Sequence, residues 1–567
     1  MISFFYPFSL TLRAYLSILR SLKTVSLSKI KRIYCMKLLK AAFSFLLIIH
    51  LSSYAAFGET IGIDKRIDAW FSPIADWWEQ VVFVEIPFSE AVSIPLVLIL
   101  LICGAAIFTI YFRFVNFLRL PVALKAIRGA YDHFELGIPG DSTKKKEQEP
   151  AGELTHFQAL TTAVSGTVGL GNIAGVAVAI AIGGPGATFW MIISGLLGMT
   201  TKFVECTLGV KYRDVDAAGR TYGGPMYYLT KGLKEIGAGK LGKFLAVVFA
   251  VMGVGASLGG GNALQSNQAI AQLTNTLGVE GSFVKTLFGV ALAFMVGLVI
   301  LGGIKRIGKL TEKLVPLMAV IYILGCLTVV AYHYNYIGEA FHLIINQAFS
   351  PAAGLGGFIG VLITGFRRAC FSNEAGIGSS AIAHSAVRTR YPASEGLVAL
   401  LEPFIDTVVV CTLTALTIIF FNSSGAFTYG QQDALGNVII EATGETAGGV
   451  KLTSMAFEDV IPHFSIVLTI AIFLFAFSTM LSWSYYGIQS WKFLFGRSKW
   501  ADLSYKILFL VFIVIGAAAT LDSVIKFSDA MILAMAFPNM IGLFLLAPKA
   551  KQELSRYLKA VKKLGAQ

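Results

Sequence analysis

The sequence predicts an all-α polytopic membrane protein of about eleven transmembrane helices: one extra N-terminal span, then a five-plus-five inverted-repeat core with two discontinuous helices. Three observations lead there. Hydrophobic residues make up 56% of the 567-residue chain and charged residues only 14%, against roughly 25% charged in soluble domains, and mean hydropathy is +0.71. Apolar runs of about 20 residues, enough to cross a hydrocarbon core of roughly 30 Å, recur along nearly the whole chain. Polar and glycine-rich stretches interrupt two of those runs midway. A soluble domain is excluded, and lipid is the solvent for most of the chain.

The elements follow in order. Residues 1–35 carry Arg13, Arg20, Lys23, Lys29, Lys31 and Arg32 without an acidic residue, and the chain from Met36 reads MKLLKAAFSFLLIIHLSSYAAFGE. A basic start, a short apolar middle and small residues near Ala55 and Ala56 are signal-peptide features. Residues 1–57 are therefore expected to be an N-terminal extension and signal peptide, with Met36 as an alternative start and a retained signal anchor as the rival reading. Residues 58–93, with Trp70, Trp77 and Trp78, read as an exported amphipathic segment. The membrane domain runs 94–548, with an extra span at 94–116, a first repeat at 156–332 and a second at 354–547; a basic cytoplasmic tail follows at 549–567. Within the repeats, hydropathy windows put spans near 156–184, 187–209, 243–272, 283–303, 311–332, 354–387, 395–421, 464–487, 504–521 and 525–547.

The net charge of +13 lies in alternate loops: Arg119 to Lys146, Lys211 to Lys243, Lys305 to Lys313, Arg388 and Arg390, Lys492 to Lys506, and the tail from Lys549. The intervening loops at GGPG, TNTLGVEGS and AYHYNYIGEAF carry none, and the last two outer loops hold only Lys451 and Lys526. The positive-inside rule then sets the N-terminus outside and the C-terminus in the cytoplasm of a bacterial inner membrane. Basic residues so distributed are topology signals, and no nucleic-acid partner is expected. The six cysteines are scattered without C-x-x-C spacing and the seven histidines are unclustered, so neither a disulfide framework nor a zinc centre follows. There is no H-E-x-x-H and no P-loop, which argues against an intramembrane enzyme and a nucleotide-driven pump. No repeated filter sequence points to a channel.

Two segments carry the chemistry. TTAVSGTVGLGNIAGVAVAIAIGGPG holds Gly166, Gly169, Gly171 and Gly175 mid-span, and each glycine weakens a helix by roughly 1 kcal/mol relative to alanine. An unwound backbone in lipid survives only where it is buried or lines a polar cavity. It exposes amide N–H groups at one half-helix end and carbonyls at the other, suited to a carboxylate and a cation; close helix packing through small residues is the alternative. The second segment, GFRRACFSNEAGIGSSAIAHS, sets Arg367, Arg368, Asn373 and Glu374 beside Gly376 and Gly378 at membrane depth. Each broken span opens a run of about five spans, the layout of inverted repeats with a site at their interface.

The stretch TVGLGNI from Thr167 resembles the unwound first core helix of the neurotransmitter:sodium symporter fold. More specifically, GTVGLGNIAGVA, GGPGATFWM, TKFVE, GGPMYYL, FSNEAGIGSS and LEPFIDTVVVCTLTAL, in that order, resemble the alanine or glycine:cation symporter family over about 94–548. The resemblance implies a non-enzymatic transporter without a cofactor, driven by sodium and taking up a small neutral amino acid such as alanine, glycine or serine. A proton-coupled or exchange carrier is the alternative, and a channel a more distant one.

The resemblance also implies substrate contacts at Thr167, Gly169, Gly171, Asn172, Gln265, Thr479 and Trp483, with Gly376, Ile377 and Gly378 closing the other side. It implies sodium ligands from the carbonyls of Ser165 and Val168 and the hydroxyls of Ser478 and Thr479. Among the charges, Lys202 and Glu205 at i, i+3 are expected to neutralise each other. Arg367 and Arg368 are gate candidates with Glu374 as partner. Glu402 and Asp406, one turn apart, either hold an inner gate by pairing with arginine or backbone N–H groups or anchor their helix.

Overall fold

A computed structural model describes residues 73, 76–89, 92–136, 151–279, 282–349, 354–432, 437–519 and 521–564. The expected signal peptide, Met36 and Trp70 lie outside the described residues. Everything below belongs to the unit Ile74–Gln567. Within 58–93, residues 76–82 are helical, and β1 (Glu85–Ser89) pairs antiparallel with β2 (Val92–Pro95).

Helix occupies every predicted span. α1 is Leu96–Tyr111. The first broken span consists of α2 (His156–Thr167) and α3 (Val176–Gly183), followed by α4 (Gly186–Lys211) and α5 (Pro225–Glu235). α6 (Gly239–Leu258) runs through a π-helical turn at Gly259–Ala263 into α7 (Leu264–Leu277). α8 (Ser282–Ile300), α9 (Gly303–Tyr332) and α10 (Ile337–Phe349) complete this half. The second broken span is α11 (Gly354–Asn373) and α12 (Ser380–His384). After it come α13 (Pro392–Val398), which continues through a π-helical stretch at Phe404–Cys411 into α14 (Thr412–Phe421), and α15 (Gly449–Glu458). α16 (Phe464–Phe495), α17 (Lys499–Ala518), α18 (Leu521–Ala534) and α19 (Ala536–Leu564) end the chain.

By length and composition, seven described helical stretches suffice to cross a membrane and the bent pair α2/α3 makes an eighth, while Leu96–Tyr111 and Val284–Ile300 are shorter apolar helices. α19 continues unbroken to Leu564, with Leu554 and Tyr557 buried, so the basic segment from Lys549 is packed helix through residue 564.

Sequence chemistry sets the ends. Thr155 and Gln158 form a capping box at the start of α2, satisfying N–H groups that the first helical turn leaves open. Leu317, Val320, Leu324 and Leu327 on α9, and Leu503, Ile507 and Val511 on α17, are exposed, as lipid-facing side chains must be. α4 by contrast has 67% of its apolar window buried, and packs against α11, α12 and α13 of the second half. The two broken helices therefore sit inside a shell of intact ones.

Candidate functional site

α2 ends at Thr167, Val168 adopts φ −73° and ψ 96°, and the chain bends 51° into a π-helical turn at Gly171–Gly175. Asn172 clamps the break. Its Oδ1 accepts the Gly169 N–H at 2.8 Å, and its Nδ2 donates to the Asp406 carboxylate at 2.6 Å and to Ser372 Oγ at 3.0 Å. The Gly169 amide is thus satisfied internally. The next N–H groups, at Leu170 and Gly171, open the half-helix that follows the break, where a helix N-terminus carries partial positive charge. Thr167 does not reach this gap, because its hydroxyl bonds back to Ala163 and Val164 carbonyls.

Polar atoms surround the break. A Cβ built at Gly169 would lie 2.8 Å from Thr479 Oγ1 and 3.4 Å from Gln265 Oε1. Gln265 Nε2 donates to the Gly260 carbonyl at 2.9 Å, while its buried Oε1 has no partner among the described residues. Trp483 donates from Nε1 to the Gly166 carbonyl at 3.2 Å and meets Tyr486 edge-on at 5.3 Å. Its indole lies so close to the π-helical turn that a Cβ at Gly261 would come within 2.2 Å of it; only glycine admits the tryptophan. Beside the break a cavity of about 50 Å³ is lined by Gly171, Gln268, Phe371, Arg368 and Asp529, among others.

On the other side of α2 lies an oxygen cluster shared with α16. Thr479 Oγ1 donates to the Ser165 carbonyl at 2.9 Å, and Ser165 Oγ donates to the Ser478 carbonyl at 2.8 Å. The Ser478 hydroxyl is not offered to this cluster, since it bonds along its own helix to Phe475 at 3.0 Å. Ser482, absent from the predicted set, supplies the hydroxyl instead, 2.8 Å from Ser165 Oγ and donating to the Thr162 carbonyl at 2.7 Å. Its i, i+4 spacing from Ser478 was the available signal.

The second break is built differently. α11 stops at Asn373, and Glu374, Gly376 and Gly378 take φ of 54°, 90° and 89°, the left-handed region that glycine tolerates. Phe371 and Ser372 face Gly171 and Asn172. Gly376 and Gly378 pack against other elements and not against the first break. A Cβ at Gly376 would strike Leu101 of α1 at 2.3 Å, one at Gly378 would strike Pro225 of α5 at 2.7 Å, and the Gly376 carbonyl accepts from Asn539 of α19 at 2.8 Å.

The charges also find different partners from those expected. Lys202 is ion-paired with Glu402 at 3.1 Å, not with Glu205, which accepts from Asn539 at 2.8 Å. Arg367 and Arg368 pair with Asp529 at 3.2 and 3.7 Å, and Arg367 reaches Glu79 at 3.6 Å. Glu374 is bonded to Ser379 instead. Asp406 pairs with no arginine among the described residues; it accepts from Asn172, from Ser372 at 2.8 Å and from Thr407 at 2.7 Å. Asp529, Asn539 and Ser372 escaped the sequence reading, although an acid in the apolar stretch FSDAMILAMAF is itself a warning.

A multi-pass helical bundle with a polar, glycine-built interruption buried at its centre defines a membrane carrier. The chain belongs to the sodium:alanine symporter family, whose model matches residues 79–567; it is an amino acid:cation symporter and not an enzyme. It is 40% identical over 454 residues to the sodium/alanine symporter AgcS of Methanococcus maripaludis, covering 80% of this chain and 92% of that one. It is 32% identical over 419 residues to the amino-acid carrier protein AlsT of Bacillus subtilis, covering 73% and 82%. Among solved structures, that of MhsT in complex with L-phenylalanine aligns with a TM-score of 0.44 at 15% identity, covering 70% of this chain and 99% of that one.

Proposed function

We propose that this chain is a secondary active symporter that takes up alanine, glycine or serine, driven by a sodium gradient, through an eleven-span inner-membrane fold whose core is a five-plus-five inverted repeat with its C-terminus in the cytoplasm. One observation carries the reading: the interruption at Val168–Leu170 presents uncharged groups suited to a zwitterion, with the nearby Asp406 carboxylate engaged by Asn172 and Ser372, and with the buried Gln265 Oε1, unpartnered among the described residues, close to Gly169. The substrate carboxylate binds the N–H groups at Leu170 and Gly171, and Gln265 Oε1 accepts from its ammonium. Trp483 and Tyr486 limit the side chain to about the size of a methyl or hydroxymethyl group. Sodium takes the carbonyls of Ser165 and Val168 with the hydroxyl of Thr479, with Ser482 and the Ser478 carbonyl beside it, since neutral oxygens suffice for a monovalent cation. The nearby relative AgcS, a sodium/alanine symporter, favours both ligands.

Arg367 and Arg368 with Asp529 act as the outer gate over the small cavity above Gly171, and the Lys202–Glu402 pair helps hold the inner side. Coupling means that each ligand raises the other's affinity by the same factor. Uptake of labelled alanine into proteoliposomes tests the function. Accumulation should require an inward sodium gradient, and uptake indifferent to sodium would overturn the reading.

A further inference from the structure

A chain of buried ionisable groups runs from the cytoplasm-proximal elements to the second break, and the substrate and sodium sites do not use it. It starts at Glu135, whose carboxylate accepts from Tyr557 at 2.7 Å, Ser394 at 2.7 Å and Thr389 at 3.1 Å. His156, the first residue of α2, links Glu135 at 2.8 Å to Glu395 of α13. Glu395 meets His384 of α12 at 2.5 Å, His384 faces Glu402 at 3.6 Å, and Glu402 pairs with Lys202. Every link is buried.

Charge balance sets what this chain must contain. Glu135, Glu395 and Glu402, with Glu205 and Glu374 beside Lys202, make five buried carboxyls. Among the described contacts, two permanent cations meet these groups: Lys202, and Arg213, which bonds the carbonyls of Ser385 and Val387 next to His384. Three negative charges are left over, and a low-dielectric interior does not hold them bare. The other titratable neighbours, Tyr131, Cys206, Tyr228, Tyr486 and Tyr557, add no positive charge, and Asp406, a further buried carboxyl near Glu374 and Glu402, deepens the deficit. Protons on the two histidines and on carboxyls must make up the difference. Two open places agree with that requirement: Glu205 Oε2 has no partner, and His384 Nε2 and Glu402 Oε2 face each other with no hydrogen bond among the described residues.

We propose that the chain Glu135–His156–Glu395–His384–Glu402–Lys202 is a proton-binding relay between the cytoplasmic face and the second break, and that opening of the inner side discharges it. His156 ties the inner half of the first broken helix to α12 and α13. Swinging α2 aside breaks the His156–Glu395 contact and admits water. Hydrated carboxyls and histidines release protons above roughly pH 4 and 6.5. The closed form therefore holds more protons than the open form, so low internal pH favours it and slows inward release. The inference rests on α2 being the mobile inner half-helix of the carrier, not on which amino acid is carried.

The test is alanine uptake into proteoliposomes at fixed external pH and varied internal pH. Each proton separating the two forms changes their ratio by up to about tenfold per pH unit, so the wild-type rate falls severalfold on internal acidification. His384→Gln and Glu395→Gln should flatten that profile to less than about twofold; loss of packing alone would lower the rate without changing its pH dependence. Should those variants fail to insert, or alanine fail to be carried, infrared difference spectra of the unmodified protein decide. Protonated-carboxyl absorption at neutral pH, lost on alkaline titration together with histidine bands, supports the relay. A flat wild-type profile, unaltered profiles in the variants, or no protonated-carboxyl absorption would overturn it.

Discussion

The two broken helices share an interruption and differ in everything around it. The first, at Val168–Leu170, is held by an asparagine that is itself anchored on the Asp406 carboxylate, and is bordered by hydroxyls, carbonyls and one glutamine oxygen. The second, at Glu374–Ser379, is packed against Leu101, Pro225 and Asn539 and lies beside Lys202, Glu402, Glu205 and His384. A neutral cradle of backbone dipoles can bind and release a zwitterion without stranding a charge in lipid, whereas a charged one can trade partners as helices move. On the proposed reading, ligand affinity belongs to the first break and conformational control to the second.

That assignment can be broken by substitution, and the largest effect is expected at Gly171→Leu. The small cavity above Gly171 is bounded by Phe371, so a leucine fills the site. Alanine affinity should fall by more than about a hundredfold, roughly 3 kcal/mol, while the protein still inserts; equilibrium binding of labelled alanine measures it. Asn172→Ala comes next. It removes charge-assisted contacts to Asp406 worth roughly 1.5–3 kcal/mol, so affinity drops by about tenfold to a hundredfold. At the second break, Gly378→Ala meets both a positive φ and Pro225 at 2.7 Å. It should lower turnover and thermal stability, at a cost of roughly 1–3 kcal/mol, yet leave alanine affinity within about threefold; comparing binding with transport rate separates the two. The smallest effect is Trp483→Ala, which should widen the pocket so that valine competes with alanine by a few fold more than in wild type, read from a panel of alanine, serine, valine and leucine.

The spans were legible in the sequence because lipid imposes a length and a polarity on each helix. Both interruptions were legible because glycine and polar residues are conspicuous in an apolar run. Asn172 bonds the Gly169 N–H, and the Thr479 hydroxyl lies against Gly169. What escaped was direction and partnership across elements. Spacing put Glu205 beside Lys202, but the lysine extends to Ser380 and Glu402, which lie on elements about two hundred residues away in the chain. Likewise, the positive φ values of Gly376 and Gly378 turn their backbone toward α1, α5 and α19 and leave Phe371 and Ser372 facing the first break. Asp529 was passed over as one acid in a helix, although two arginines converge on it.

The central claim, that the uncharged break binds amino acid and sodium together, is tested most directly by measuring alanine affinity of the purified protein across a sodium titration, in wild type and in Thr479→Val. The account predicts that wild-type affinity climbs with sodium and that the valine variant, having lost one cation ligand, needs a much higher sodium concentration to reach the same affinity. Alanine binding equally tight in sodium-free buffer, or a sodium dependence unchanged by Thr479→Val, would contradict it.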